Sequence, residues 1–205
     1  MTSEPSLADL NGLFGHLCDG AVSAFHYAKD HQARTEALEK VLEFAYDNLV
    51  ENRHLNQNQG EDELSVQVVG NLRMLSIQAD HDTQIGGHCD ILVRGTDHYL
   101  WIGEAKIHKN YGWLVDGFQQ LSTRYAVGGY GKDRGEIIIY CRTSKAADTL
   151  RNWKSKMTEE FPDVIVTEDR INERLWFRTK HNCINSGTPF YTRHRILALY
   201  WAPQK

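Results

Sequence analysis

Asp90, Glu104 and Lys106 are charged residues set inside two apolar segments, HCDILVR (88–94) and HYLWIGEAKIH (98–108). Charges in such surroundings need a partner or a task. Both segments read as β-strands, and Gly95-Thr96-Asp97 between them reads as a turn. Side chains two apart on a strand share a face, about 6.6 Å from one another along the chain, so Glu104 and Lys106 are neighbours. A turn centred on Asp97 places residues whose numbers sum to 194 opposite each other, which pairs Asp90 with Glu104. Two carboxylates facing across a ladder repel. A hard divalent cation reverses that sign, because Mg²⁺ is held by one or two carboxylates together with water and a substrate phosphate. Lys106 beside the pair could orient or deprotonate an attacking water, or stabilise charge developing on the phosphate.

These residues have to be positioned by the elements around them. Leu38, Val41, Leu42, Ala45 and Leu49 recur at helical spacing over 35–50, and Leu64, Val68, Leu72 and Leu75 do so over 62–75, with Asp62 as the expected N-cap. A weakly patterned strand covers 77–85, followed by the two strong strands above. A helix is expected over 110–127, rich in Trp113, Leu114, Phe118 and Tyr125 and ended by Gly128-Gly129. EIIIYC (136–141) is short, apolar and β-branched, as a central buried strand should be. Thr143 or Ser144 then caps a helix to about Phe161, and 163–167, 174–179 and 195–201 follow as strands, the last as strand or short helix. The expected fold class is α/β, a central mixed sheet flanked by helices, with the core order α-β-β-β-α-β. All 205 residues form one domain: an acidic helical extension (1–60), a core (62–142), and a C-terminal helix with strands (143–205).

Asp90, thirteen residues, then Glu104-Ala105-Lys106 on the next strand resembles the PD-(D/E)XK, or restriction-endonuclease-like, nuclease superfamily. The resemblance covers roughly residues 62–142, and Cys89 stands where the motif's name has proline. It implies that Asp90 and Glu104 are metal ligands, with the Ala105 carbonyl completing the shell and Lys106 positioning the water. Mg²⁺ is the implied cofactor, with Mn²⁺ able to substitute. Some members carry a glutamate on the first core helix, for which Glu63 is the candidate, with Glu61 behind it. The RecB-like subset has Gln and Tyr four positions apart on the helix after the lysine. Here Tyr125 lies five after Gln120, so the spacing misses. The implied activity is hydrolysis of phosphodiester bonds in nucleic acid, DNA favoured over RNA, in a bacterial defence, toxin or restriction setting. The rival reading is an inactive nuclease fold that binds nucleic acid or protein. Cutting both strands of a duplex is simplest for a twofold dimer.

Lys109, Gln119, Gln120 and Arg124 flank the motif and are candidate nucleic-acid contacts. His108, two residues beyond Lys106, is a candidate auxiliary acid or base. The net charge of −4 conceals an asymmetry: residues 1–64 hold twelve acidic and four basic side chains, whereas 173–205 hold one and six. Either Arg193 and Arg195 face a polyanion, or they pair with the acidic N-terminal part, which is itself a candidate docking surface for a protein.

At 41% hydrophobic and 24% charged residues, the composition excludes global disorder. No apolar run approaches the roughly 18 residues of a membrane span, and MTSEPSLADLNG lacks the features of a signal peptide, so the expected compartment is the cytoplasm. The four cysteines show no C-x-x-C pair and read as free thiols.

Overall fold

The computed structural model describes residues 18–204. Their elements in chain order are α1 (Cys18–His26), α2 (His31–Glu51), α3 (Glu61–Met74), β1 (Ala79–Gln84), β2 (His88–Arg94), β3 (Leu100–Ile107), α4 (Tyr111–Gln119), a π-helical turn (Gln120–Tyr125), β4 (Arg134–Cys141), α5 (Ala146–Glu160), β5 (Ile165–Asp169), α6 (Ile171–Arg174), β6 (Trp176–Asn182) and β7 (Pro189–Ala198). The strands make one mixed sheet in the order β1-β2-β3-β4-β7-β6-β5. β1 to β3 form an antiparallel meander, β4 is parallel to β3 and β7 parallel to β4, and β6 and β5 close the far edge antiparallel. The EIIIYC segment therefore lies at the sheet's centre, as its composition requires. Apolar strands need cover on both faces. Leu38, Leu42, Leu64 and Val68 of α2 and α3 pack on Ile91, Val93, Trp101 and Ile138, while Leu114, Phe118, Leu150 and Trp153 of α4 and α5 pack on Leu92, Ile102, Ile137 and Ile139.

The hairpin register follows the expected rule, with Ile91 opposite Gly103, Leu92 opposite Ile102 and Arg94 opposite Leu100. Asp97 and His98 take left-handed φ values of 60° and 61° to close the turn. Arg34 of α2 clamps it, donating to the Thr96 hydroxyl at 2.7 Å and the Thr96 carbonyl at 3.1 Å. The turn between the two strands is thus held by a buried arginine from another layer.

Several sequence expectations change. α2 is a layer of the core rather than an extension, because its apolar stripe is buried on the sheet. Gly60, not Asp62, is the N-cap of α3, and Lys145, in a left-handed conformation, rather than Thr143 or Ser144, precedes α5. The strand expected over 195–201 begins at Pro189 and ends at Ala198.

Arg193 and Arg195 do not face solvent. They are 3% and 7% exposed, which overturns their assignment to nucleic-acid contact. Arg193 donates to Glu136 and to Glu43, both at 2.9 Å, and Arg195 donates to Glu43 at 2.8 Å. Arg178 meets Glu39 at 2.6 Å. The opposite charges of the two chain ends are therefore joined between α2 and the sheet, and Glu39 and Glu43 are engaged there rather than free to dock a partner. The acids of residues 1–17 lie outside the described residues. Removing one member of a buried pair strands the other, at a cost of about 3–5 kcal/mol. Arg193→Met should lower stability in urea by an amount of that order, and adding Glu136→Gln should recover part of the loss.

Candidate functional site

The ladder between β2 and β3 ends at Ile91 and Gly103, whereas β3 stays paired with β4 as far as Ile107. On the β2 side, the N–H groups of Ala105 and Ile107 would thus be left without strand partners, which is costly inside a protein. Carboxylates take them instead. Asp90 Oδ2 accepts from Ala105 N–H at 2.6 Å, and Glu61 Oε2 accepts from Ile107 N–H at 3.2 Å. On a strand, a residue's carbonyl points the same way as its N–H, so the Ala105 carbonyl is also turned towards this gap.

Glu104 and Lys106 project from β3 on its α4 face, at 1% and 8% exposure. Lys106 Nζ donates to Glu104 Oε1 at 2.6 Å and stands 3.9 Å from Glu61 Oε2. Its ammonium lies 5.3 Å from the Trp113 ring centre, and Lys109 lies 4.9 Å from the same ring. α4 approaches this closely because position 117 is glycine: a Cβ there would meet Lys106 Cγ at 3.0 Å. Glu104 Oε2 is buried with no hydrogen-bond partner, and so are Trp113 Nε1 and both ring nitrogens of His108.

Three carboxyls here are held above their ordinary range. Burial raises Glu104 to about 7, reinforced by Asp90 and opposed by Lys106. Burial also raises Asp90 and Glu61, and each of the two has an acidic neighbour adding to the effect. For Lys106, burial works against the charge, but Glu104, Asp90 and Glu61 outweigh it and its pKa rises. The lysine is therefore an ammonium: a donor and a positive charge, not a free base. Among the described residues, no three His, Cys, Asp or Glu side chains already form a metal cage. The acids are instead turned to β3 amides and to Lys106. A buried carboxylate oxygen with no partner, flanked by acids, nevertheless suits an oxygen-seeking cation, which needs only one or two protein carboxylates.

The acid that α3 brings to this group is Glu61, not Glu63. Glu63 turns back to accept from the Gly60 N–H, capping its own helix. Residues two apart on a helix do not share a face, so capping by one frees the other. Lys109 comes to the group through Trp113. Gln119 does not, being exposed beside a cleft that His181 and Phe161 also line. Arg124 runs beside Gly87 of the β1–β2 turn. Tyr125 donates to the His88 carbonyl at 2.8 Å, and burial, with Glu104 and Asp90 adding, raises it to about 12. In the π turn, bonds span five residues, as from Ala126 N–H to the Leu121 carbonyl. One turn there takes up an extra residue, so the five-residue step from Gln120 to Tyr125 spans a single turn. Helix-period counting does not detect such an insertion. In the sequence Glu61 stood only behind Glu63 as the candidate, both being first-turn acids.

Compared with protein-family models, with curated proteins and with solved structures, the chain matches none.

Glu104 gives the site a pH signature. Its carboxyl, raised to about 7, holds its proton to higher pH when folded than when unfolded, where the ordinary value is 4.5. Between those values the native state binds more protons, so its contribution to stability falls as pH rises and levels off above about 7. Glu104→Gln should remove that component. In metal-free urea titrations the variant should gain on the parent as pH rises from 5 to about 8; a constant difference would place the Glu104 titration elsewhere.

Proposed function

We propose that the chain is a Mg²⁺-dependent nuclease that hydrolyses phosphodiester bonds, a DNA endonuclease of the PD-(D/E)XK kind. The observation that carries this reading is the unpartnered Glu104 carboxylate oxygen, buried beside Asp90, Glu61 and Lys106. A decayed, purely binding module has no reason to keep a repulsive group of buried acids. The π turn adds support, because it brings Gln120 and Tyr125 within one turn, the relation that the RecB-like subset has at four residues.

Asp90 and Glu104 would hold the ion, with Glu61 and the Ala105 carbonyl adjacent. When bound, Mg²⁺ would supply charge neutralisation at the scissile phosphate and lower the pKa of the attacking water. The protein's own work is positional and electrostatic. Lys106, tied to Glu104 and charged, offers its remaining N–H groups to the water or to the phosphate oxygens as negative charge builds there. Gly117 and Trp113 restrict where that ammonium sits. Lys109, sharing the Trp113 ring, is placed to neutralise a neighbouring phosphate. No helix among the described residues is long and apolar enough to cross a membrane, and the proposed compartment is the cytoplasm.

Cleavage of single- and double-stranded DNA and RNA in EDTA, Mg²⁺ and Mn²⁺ tests the reading. Asp90→Asn and Glu104→Gln should each abolish metal-dependent cleavage while leaving the protein folded. Lys106→Ala should lower turnover by roughly 10²–10⁴ with metal binding retained. Metal-dependent cleavage persisting in Asp90→Asn, or none by the parent on any substrate, would refute it.

A further inference from the structure

The end of the sheet that carries the candidate site continues past β4 to β7, where the chain leaves the sheet towards two exposed aromatic rings. β3, β4 and β7 run parallel, so Asp90, Lys106, Arg142 and the residues after Ala198 all lie at one end of the sheet. Lys106 is level with Ile139 and Ile196. Tyr200 and Trp201 follow four and five residues beyond Ile196 and are 47% and 42% exposed. Laterally they are two strands away from β3, roughly 10 Å.

One loop joins the rings to the site. It leaves α2 at Asn52 and enters α3 at Glu61, whose carboxylate caps Ile107. At its start, the Arg53 guanidinium lies over the Trp201 ring at 5.2 Å, and His54 stands 5.6 Å from that ring. Its middle is fastened to the sheet. Gln57 donates to the Leu199 carbonyl at 2.6 Å, and Arg142 donates to the Asn56 carbonyl at 2.7 Å and to the Gln59 carbonyl. Leu199 itself is buried and donates to the Cys141 carbonyl at 2.8 Å. The aromatic pair is therefore presented from a fixed base, with a cation against one ring, and is not a loose end.

We infer that Tyr200 and Trp201, with Arg53, form a base-stacking platform that receives a single-stranded segment of nucleic acid leading to the Asp90–Glu104–Lys106 site. This rests on the nuclease reading above and adds to it the strandedness of the substrate. A ring beside an arginine, at the site's own end of the sheet, matches the way single strands are held, by stacking on aromatic rings and by cationic contact to the backbone. In a duplex the base faces are already stacked on one another and cannot reach the rings. Every base has a π-face, so the platform accepts DNA and RNA alike, and sugar discrimination falls to the site itself.

Fluorescence anisotropy of labelled oligo(dT), oligo(rU) and a blunt DNA duplex, measured in EDTA to prevent cleavage, tests the inference on the full-length protein. The parent should prefer either single strand to the duplex. Trp201→Ala should weaken single-strand binding roughly 5- to 100-fold, the range for losing one stacked base, while Trp201→Phe retains most of it. Unchanged single-strand affinity in Trp201→Ala, an equal loss on the duplex, or no single-strand binding by the parent would overturn the platform. Thermal melting by circular dichroism checks the fold, and if Trp201→Ala unfolds, Tyr200→Ala and Arg53→Gln carry the same expectation and the same refutation. Hydrolysis of bis(p-nitrophenyl) phosphate with Mn²⁺ reports the metal site alone. Its loss in Asp90→Asn but not in Trp201→Ala, with single-strand affinity unchanged in Trp201→Ala, would reject the platform and keep the nuclease. Binding through Trp201 by a parent that hydrolyses nothing would do the reverse.

Discussion

The early end of the β2–β3 ladder is the constraint on which the rest of the site depends. Past Gly103, β3 still has β4 on one side but no strand partner on the other, and two of its amides need acceptors. A water-exposed edge would let solvent supply them. Here Asp90 and Glu61 do so, which draws two carboxylates into partly buried surroundings beside a third. Backbone satisfaction and charge repulsion thus act on the same atoms. Burial, with neighbouring acids adding, holds the carboxyls above their ordinary range, although the amide hydrogen bonds pull Asp90 and Glu61 the other way. Lys106 compensates only in part, since one oxygen of Glu104 is left without a partner.

A second group of buried charges, between α2 and the β6–β7 side of the sheet, has the opposite character. Glu39, Glu43 and Glu136 each have an arginine partner, and Tyr46 donates to Glu136 at 3.1 Å. Burial pushes Glu136 up to about 7 against the pull of Arg193, yet the guanidinium and the tyrosine hydroxyl engage both of its oxygens. This network fastens α2, and with it Arg34, to the sheet, and Arg34 holds the turn of the β2–β3 hairpin. Its acids and arginines answer one another; those at the β2–β3 gap do not. That contrast separates a structural charge cluster from one suited to a ligand.

Much of the site was legible in the chain because strand geometry is local. A period of two puts Glu104 and Lys106 on one face, and a turn with a definable centre sets the register from Arg94–Leu100 to Ile91–Gly103, but the ladder stops there and Asp90 takes the Ala105 N–H rather than a place opposite Glu104. The central strand was equally plain, since five consecutive apolar residues after Glu136, three of them β-branched isoleucines, suit little else. Glu61 was not separable from Glu63, because both are first-turn acids and only the cap made by Glu63 shows which is free. The π turn was invisible to a 3.6-residue count. Arg193 and Arg195 alternate as a surface strand would, yet face a layer contributed by residues some 150 positions earlier.

Sequence alone therefore settled the things governed by neighbours a few residues apart: the class of fold, most of the strands and helices, and the hairpin register; it also singled out Asp90, Glu104 and Lys106 as the candidate group. Three-dimensional packing settled those governed by distant partners. Among them are which acid of α3 reaches Ile107, where the basic C-terminal arginines point, and which carboxylate oxygen is left unsatisfied. It also brought Trp201 to the end of the sheet that holds Lys106. The reason is physical. Periodicity and turn geometry are short-range properties of the backbone, whereas desolvation and charge pairing depend on what the folded chain brings alongside.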